Sequence, residues 1–176
     1  MSAGQPTPLE QLLRAATSQR STSIGLPAPP QGGSERRFPL TPEAAGILVD
    51  RGFNIKVESG AADLIHYDNA AYNRQGVAIT DRAETLRCDI IISLPAIREA
   101  DVRHMRRGAL LLTFSHYESQ SPQAIKALLA KSITTVALDR IGNPEGQHPF
   151  ADILREIDGR AAIAIASSLL ADAVHG

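Results

Sequence analysis

A doubly wound α/β sheet, mostly parallel and with helices on both faces, is what this sequence predicts. Three observations carry that reading. Short aliphatic or β-branched runs alternate with capped helical segments from residue 23 to residue 138. Two of the runs, Ile90-Ile91-Ile92 and Leu110-Leu111-Leu112, are continuous rather than alternating, as in central strands covered on both sides. The links between segments are short, which in a βαβ series means parallel strands. At 176 residues the chain is one domain's length, and such a domain buries roughly 70% of the surface its unfolded form exposes.

Each element has a local cause. Thr7-Pro8-Leu9-Glu10 supplies a capping threonine, a proline at the first helical position and a glutamate three residues after the cap, so residues 8–19 read as a helical extension. Ser23-Ile24-Gly25-Leu26 is a first strand ended by Pro27, and the Pro/Gly-rich stretch 27–34 is a loop. Thr41-Pro42-Glu43 opens a helix with Ala44, Ile47, Leu48 and Arg51 at helical spacing, stopped by Gly52. Residues 53–58 alternate with period two and form a strand. A polar helix over 68–75, a strand at 77–79 and a short helix capped by Asp81 follow. Residues 88–94 and 109–114 are the two central strands, with a short helix from Arg98 to about Met105 between them. Ser121-Pro122 opens a helix through Lys131, and 134–138 is the last strand. The helix from Gly159 to Val174, about 25 Å long at 1.5 Å per residue, has a surface mostly of Ala and Ser. The architecture is thus Rossmann- or flavodoxin-like, with an extension at 1–22, an α/β domain at 23–157 and a terminal helix at 158–176.

Composition excludes several function classes. Eighteen basic and nineteen acidic residues leave a net charge of −1, and no basic cluster longer than Arg36-Arg37 or Arg106-Arg107 exists to hold a phosphate backbone, so nucleic acid is not an expected partner. One cysteine, Cys88, excludes an intrachain disulfide and a multi-cysteine zinc site. No histidine pair has ligand spacing with a carboxylate, so no metal site is expected. No apolar run approaches the roughly 20 residues of a membrane span, and residues 1–8 lack the pattern of a secretory signal. A cytoplasmic protein is expected.

In a doubly wound sheet, ligands bind outside the carboxyl ends of the strands. His116, just past the Leu-rich strand, is the candidate for proton transfer, because imidazole titrates near neutrality; a partly buried, hydrogen-bonded histidine is the alternative. Ser115 beside it lacks a G-x-S-x-G turn and is discounted as a nucleophile. Arg36 and Arg37 stand ahead of a helix amino terminus, where a guanidinium makes a bidentate carboxylate clamp or else a solvated charge pair. No G-x-G-x-x-G occurs, so the phosphate-binding turn of dinucleotide sites is missing.

The string from Glu35 to Ala44, followed by Gly52-Phe53, Val57-Glu58-Ser59-Gly60-Ala61, Cys88-Asp89-Ile90-Ile91-Ile92, the run from Arg107 to His116, Val136-Ala137-Leu138-Asp139 and Gly159-Arg160-Ala161-Ala162, resembles the amino-terminal domain family of alanine dehydrogenase and nicotinamide nucleotide transhydrogenase. The likeness covers residues 23–175. It implies an oxidoreductase of amino-acid metabolism in which this domain binds a small 2-oxo or 2-amino acid. NAD(H) is implied too, held by a Rossmann domain that would lie beyond residue 176 and be reached through the helix at 159–174. Arg37 falls on the arginine that binds the substrate carboxylate, and His116 on the acid/base histidine. The lysine that contacts the substrate carbonyl is replaced by Pro95, and Arg98 offers a cation nearby with different reach. No cofactor-binding residue is expected within the chain.

The first expectation is therefore the substrate-binding domain of a diverged NAD-dependent, alanine-type dehydrogenase, inactive without the NAD domain. A non-catalytic ligand-binding or interaction domain of the same origin is the alternative, as is a fragment of a transhydrogenase subunit. Two structural expectations accompany them. Arg37 and His116 should face one crevice, and the terminal helix should leave an Ala-rich face uncovered unless another chain, such as a second copy, packs on it.

Overall fold

A computed structural model of the chain describes residues 21–30, 32–33, 35–114 and 120–175, the last five by backbone alone. The predicted extension helix at 8–19 and Ser115, His116 and Tyr117 lie outside the described residues. Strands β1 (Ser23–Leu26), β2 (Asn54–Glu58), β3 (Ala78–Thr80), β4 (Ile90–Ile92), β5 (Leu110–Thr113) and β6 (Thr134–Ala137) alternate with helices α1 (Pro42–Asp50), α2 (Asn69–Arg74), α3 (Arg82–Leu86), α4 (Glu99–Val102) and α5 (Pro122–Ala130), and α6 (Pro149–His175) closes the chain. The six strands lie in the order β3-β2-β1-β4-β5-β6, and every pairing is parallel. The predicted doubly wound α/β sheet is therefore present, and the order reverses direction between β1 and β4. That reversal opens a crevice at their carboxyl ends.

The caps read at Thr41, Asp81 and Ser121 are formed, while the one read at Thr7 lies outside the described residues. Thr41 Oγ1 accepts from the Ala44 N–H (3.3 Å), Asp81 Oδ1 from Glu84 (2.8 Å) and Ser121 Oγ from Ala124 (3.0 Å). Gly52 has φ of 90°, a left-handed conformation that ends α1. The buried face of α1 differs from the expected one, since Pro42, Ala45 and Gly46 are buried while Ile47 is 55% exposed. The cause is proximity. A Cβ on Gly46 would stand 2.6 Å from Gln75 Oε1, so α1 approaches the end of α2 through its smallest residues.

Register assigns the two faces. Ile24 pairs with Ile90 and Ile55, and Ile90 with Leu110, so these share one face, where Ala45 of α1 and Tyr72 of α2 complete a core with Leu26 and Val57. Ile91 and Leu111 point the other way, into a core with Leu86 of α3, Val102 of α4 and Leu128 of α5. The continuous runs of β4 and β5 were expected to be covered on both sides. Ile91 and Leu111 are fully buried, but Ile90, Ile92, Leu110 and Leu112 are only half-buried. The first face has its helices over β1, β2 and β3, while over β4, β5 and β6 only the first turns of α6 approach it among the described residues, at the carboxyl edge.

The last helix begins at Pro149, ten residues before the predicted start at Gly159. Gly159 was read as a boundary, yet a glycine inside a helix costs only about 1 kcal/mol against alanine. Proline at the first helical position was the better signal. Every described side chain from residue 155 to 170 is exposed, so the helix projects with all its faces uncovered rather than one.

Candidate functional site

Among the described residues, two cavities lie at the carboxyl edge of the sheet, and the arginine pair divides between them. Arg36 lines a polar cavity of about 800 Å³ with Arg82, Arg98, Glu58 and the loop after β1. Arg37 lines an apolar one of about 490 Å³ with Ile92, Leu112, Phe114 and the start of α6. The segment carrying both arginines is fixed on its carboxyl side. The Tyr72 hydroxyl, buried to 1% exposure, donates to the Leu40 carbonyl (2.6 Å), and Phe38 packs edge-on against the Tyr72 ring at 6.2 Å. Burial of that phenol pushes its pKa up to about 12, so it remains a donor.

Arg37 is held by one edge of its guanidinium. Its Nε donates to Glu35 Oε1 and its Nη2 to Oε2, both at 2.8 Å, and its backbone N–H donates to Oε1 at 2.9 Å. The guanidinium carbon lies 5.5 Å from the centroid of the Phe114 ring, a cation–π distance. These hydrogen bonds hold the Glu35 carboxyl below its usual pKa and raise that of Arg37. Nη1 has no partner among the described residues, and the side chain is 46% exposed. The end edge of the fork is thus available to a second carboxylate.

The polar cavity is organised around a buried carboxylate. Asp101 accepts from Arg82 Nε (2.7 Å) and Nη2 (2.9 Å) and from Arg98 Nε (2.8 Å) and Nη2 (3.2 Å). Burial alone would push the Asp101 carboxyl up, but the hydrogen bonds and charges of the two arginines outweigh it and hold it at about 2. Arg82 also donates from Nη1 to Glu58 Oε2 (2.9 Å) and to the Ala28 carbonyl (3.1 Å), which ties the ends of β1 and β2 to α4. Arg98 is therefore engaged with Asp101 and faces a different cavity from Arg37. Pro95 is half-buried and lines neither cavity; its carbonyl accepts from Ser93 Oγ (3.1 Å).

Of the residues singled out from sequence, the structure describes Arg37, Pro95 and Arg98 and does not bring Arg37 and Arg98 together. His116 lies outside the described residues, so its relation to Arg37 stays an expectation. Sequence reasoning passed over Glu35 and Asp101. Both stand at local spacings from an arginine, i−2 for Glu35 and i+3 for Asp101, which was the available signal. Among the described residues no three His, Cys, Asp or Glu side chains are grouped to hold a metal ion, and no helix is long and apolar enough to cross a membrane.

The crevice does not fit a dinucleotide. Pyrophosphate needs a glycine turn that runs from the first strand directly into a helix amino terminus. Here β1 leads into Pro27, Pro29 and Pro30, which have no N–H, and α1 begins only at Pro42. The Ala28 N–H is taken by Glu58 Oε2 (2.8 Å), so the carboxylate at the end of β2 is also committed.

Comparison with known proteins identifies the family. An alanine dehydrogenase of Staphylococcus saprophyticus is 24% identical over 148 residues, which is 84% of this chain and 39% of that protein. The alpha subunit of the NAD(P) transhydrogenase of Haemophilus influenzae is 30% identical over 108 residues, 61% of this chain and 21% of that subunit. The chain thus spans well under half the length of these curated relatives. Among solved structures, an L-alanine dehydrogenase shares the fold with a TM-score of 0.67 at 19% identity, over 73% of this chain and 35% of that one. A transhydrogenase of Sinorhizobium meliloti does so with 0.57 at 22%, over 68% and 36%. Residues 28–155 match the family model described as alanine dehydrogenase/PNT, N-terminal domain, and the chain belongs to that family.

Proposed function

We propose that this chain is the substrate-binding domain of a diverged, NAD-dependent dehydrogenase of the alanine type, with Arg37 as the anchor for the carboxylate of a 2-oxo or 2-amino acid. The observation that carries the proposal is the state of Arg37. It stands at the rim of a carboxyl-edge cavity with one guanidinium edge fixed by Glu35 and the other open. In this reading His116 exchanges the proton at the keto or amino group. The nicotinamide is held by a separate domain, in keeping with a crevice that lacks a pyrophosphate turn, and the isolated chain does not turn over.

Titrating the chain with pyruvate and with L-alanine in a calorimeter tests the anchor. Millimolar binding that weakens at least about ten-fold in Arg37→Ala supports it, since a charge-assisted fork contributes on the order of 1.5–3 kcal/mol. Identical heats from both proteins refute it.

A second reading, a ligand-binding domain without catalysis, is favoured by Pro95 and by Arg98. Proline offers no donor to a substrate carbonyl, and Arg98 is committed to Asp101. Loss of such a donor costs about two to three orders of magnitude in rate. Joining the chain to an NAD domain and following NADH oxidation with pyruvate and ammonium separates the two readings. The transhydrogenase alternative requires instead hydride exchange between two nicotinamide nucleotides.

A further inference from the structure

The cavity beside Arg37 is large and apolar for an acid whose side chain is one methyl group. Every described residue lining its volume of about 490 Å³ other than Arg37 is apolar. One wall is the open half of the sheet face, Ile92 and Leu112, with Phe114 following β5. The opposite wall is the start of α6, where Phe150 is 45% and Ile153 is 58% exposed. The cation at the mouth is the Arg37 guanidinium, whose end edge is open; the Glu35 carboxylate holds its other edge, and Asp158 of α6 also acts on it.

A ligand that satisfies these walls has a carboxylate at one end and a hydrocarbon body at the other. We infer that the site takes a 2-oxo or 2-amino acid with a bulky apolar side chain, branched aliphatic or aromatic, in place of the methyl of pyruvate or alanine. This rests on the reading of Arg37 as the carboxylate anchor. A methyl would leave most of the two walls in contact with water, whereas each further methylene buried there strengthens binding by about four-fold. A dicarboxylate is disfavoured, because the described lining offers no second cation or donor and an unpaired charge between apolar walls is costly. An apolar segment of a second copy would cover the same walls, but a purely apolar one leaves the open edge of Arg37 without a carboxylate.

Calorimetric titration of the full chain with pyruvate, 4-methyl-2-oxopentanoate and 2-oxoglutarate tests the inference, with Arg37→Ala and Ile153→Ser alongside. Ile153 is an exposed helix position, so its replacement leaves the fold intact. The branched acid carries three more carbons than pyruvate, and it should bind between about ten-fold and about fifty-fold more tightly. Ile153→Ser should narrow that ratio, and Arg37→Ala should weaken both acids. Equal affinity for pyruvate and the branched acid, or tightest binding of 2-oxoglutarate, overturns the side-chain inference and leaves the anchor standing. No binding of any acid, or binding indifferent to Arg37→Ala, overturns the anchor and the inference with it. Sedimentation showing a dimer that Ile153→Ser dissociates, with no heat from any acid, gives the groove to a second copy and also overturns both.

Discussion

Two arginine–carboxylate forks of similar geometry have different physical consequences in this protein. The Arg37–Glu35 pair is half-exposed at its arginine, and such pairs contribute about 0–1 kcal/mol to stability. Glu35→Gln should therefore shift the urea midpoint by less than the equivalent of about 1 kcal/mol. The Arg82–Asp101 pair is different, because the Asp101 side chain is only 5% exposed. Arg82→Ala removes the larger part of its neutralisation and also frees Glu58 and the Ala28 carbonyl, so a loss of about 3 kcal/mol is expected. The same carboxylate makes the protein acid-sensitive. Its folded pKa of about 2 lies below the ordinary value of 3.8, so the stability it confers is complete above about pH 4 and disappears as pH falls through about 2. That contribution is about 2 kcal/mol. Urea unfolding at pH 5 and at pH 2.5 should show a drop that is smaller by most of this amount in Asp101→Asn; an unchanged drop would place the acid sensitivity in other carboxylates, such as Asp89 and Glu35.

At the scale of elements, local chemistry made most of the sheet legible. The caps that the sequence displays at Thr41, Asp81 and Ser121 are formed, and β1 carries the bounds expected of it. What the sequence hid was contact between elements. Gly25 sits mid-strand with no turn to explain it, and its reason is visible only in three dimensions. A Cβ there would stand 2.0 Å from the Thr85 carbonyl oxygen at the end of α3 and 3.3 Å from Cys88 Cβ. Backbone cannot yield as a flexible side chain does, so Gly25→Ala must push α3 off the sheet. A loss of several kcal/mol, or failure to fold, is expected, whereas alanine at Gly159, where nothing stands within 4 Å, should stabilise α6 by up to about 1 kcal/mol. Thermal melts of the two variants check the contrast. The site was partly legible for the same reason. Arg37 is marked by its place ahead of a capped helix, while the apolar cavity beside it depends on which residues of β4 and β5 share a face with α6.

On the scale of the whole molecule, apolar surface is unevenly covered. Among the described residues, one sheet face has only the first turns of α6 across β4, β5 and β6, and α6 carries Ile163, Ile165, Leu169 and Leu170 at 60–71% exposure. Isolated helices are marginal in water, because helical stability in proteins comes mainly from packing of one face. Beyond residue 155 α6 packs on nothing described, so its outer half should add little to the stability of the sheet. Ending the chain after residue 158 should leave the urea midpoint within the equivalent of about 1 kcal/mol, since the contacts of Ala151 and Leu154 with the domain remain. The slope of unfolding against urea should hardly change either, as it scales with surface exposed on unfolding and residues 159–170 are exposed already. A loss above about 2 kcal/mol would mean that this half of the helix is buried in solution against another copy. In that case the loss would grow with protein concentration, because dissociation and unfolding would be coupled.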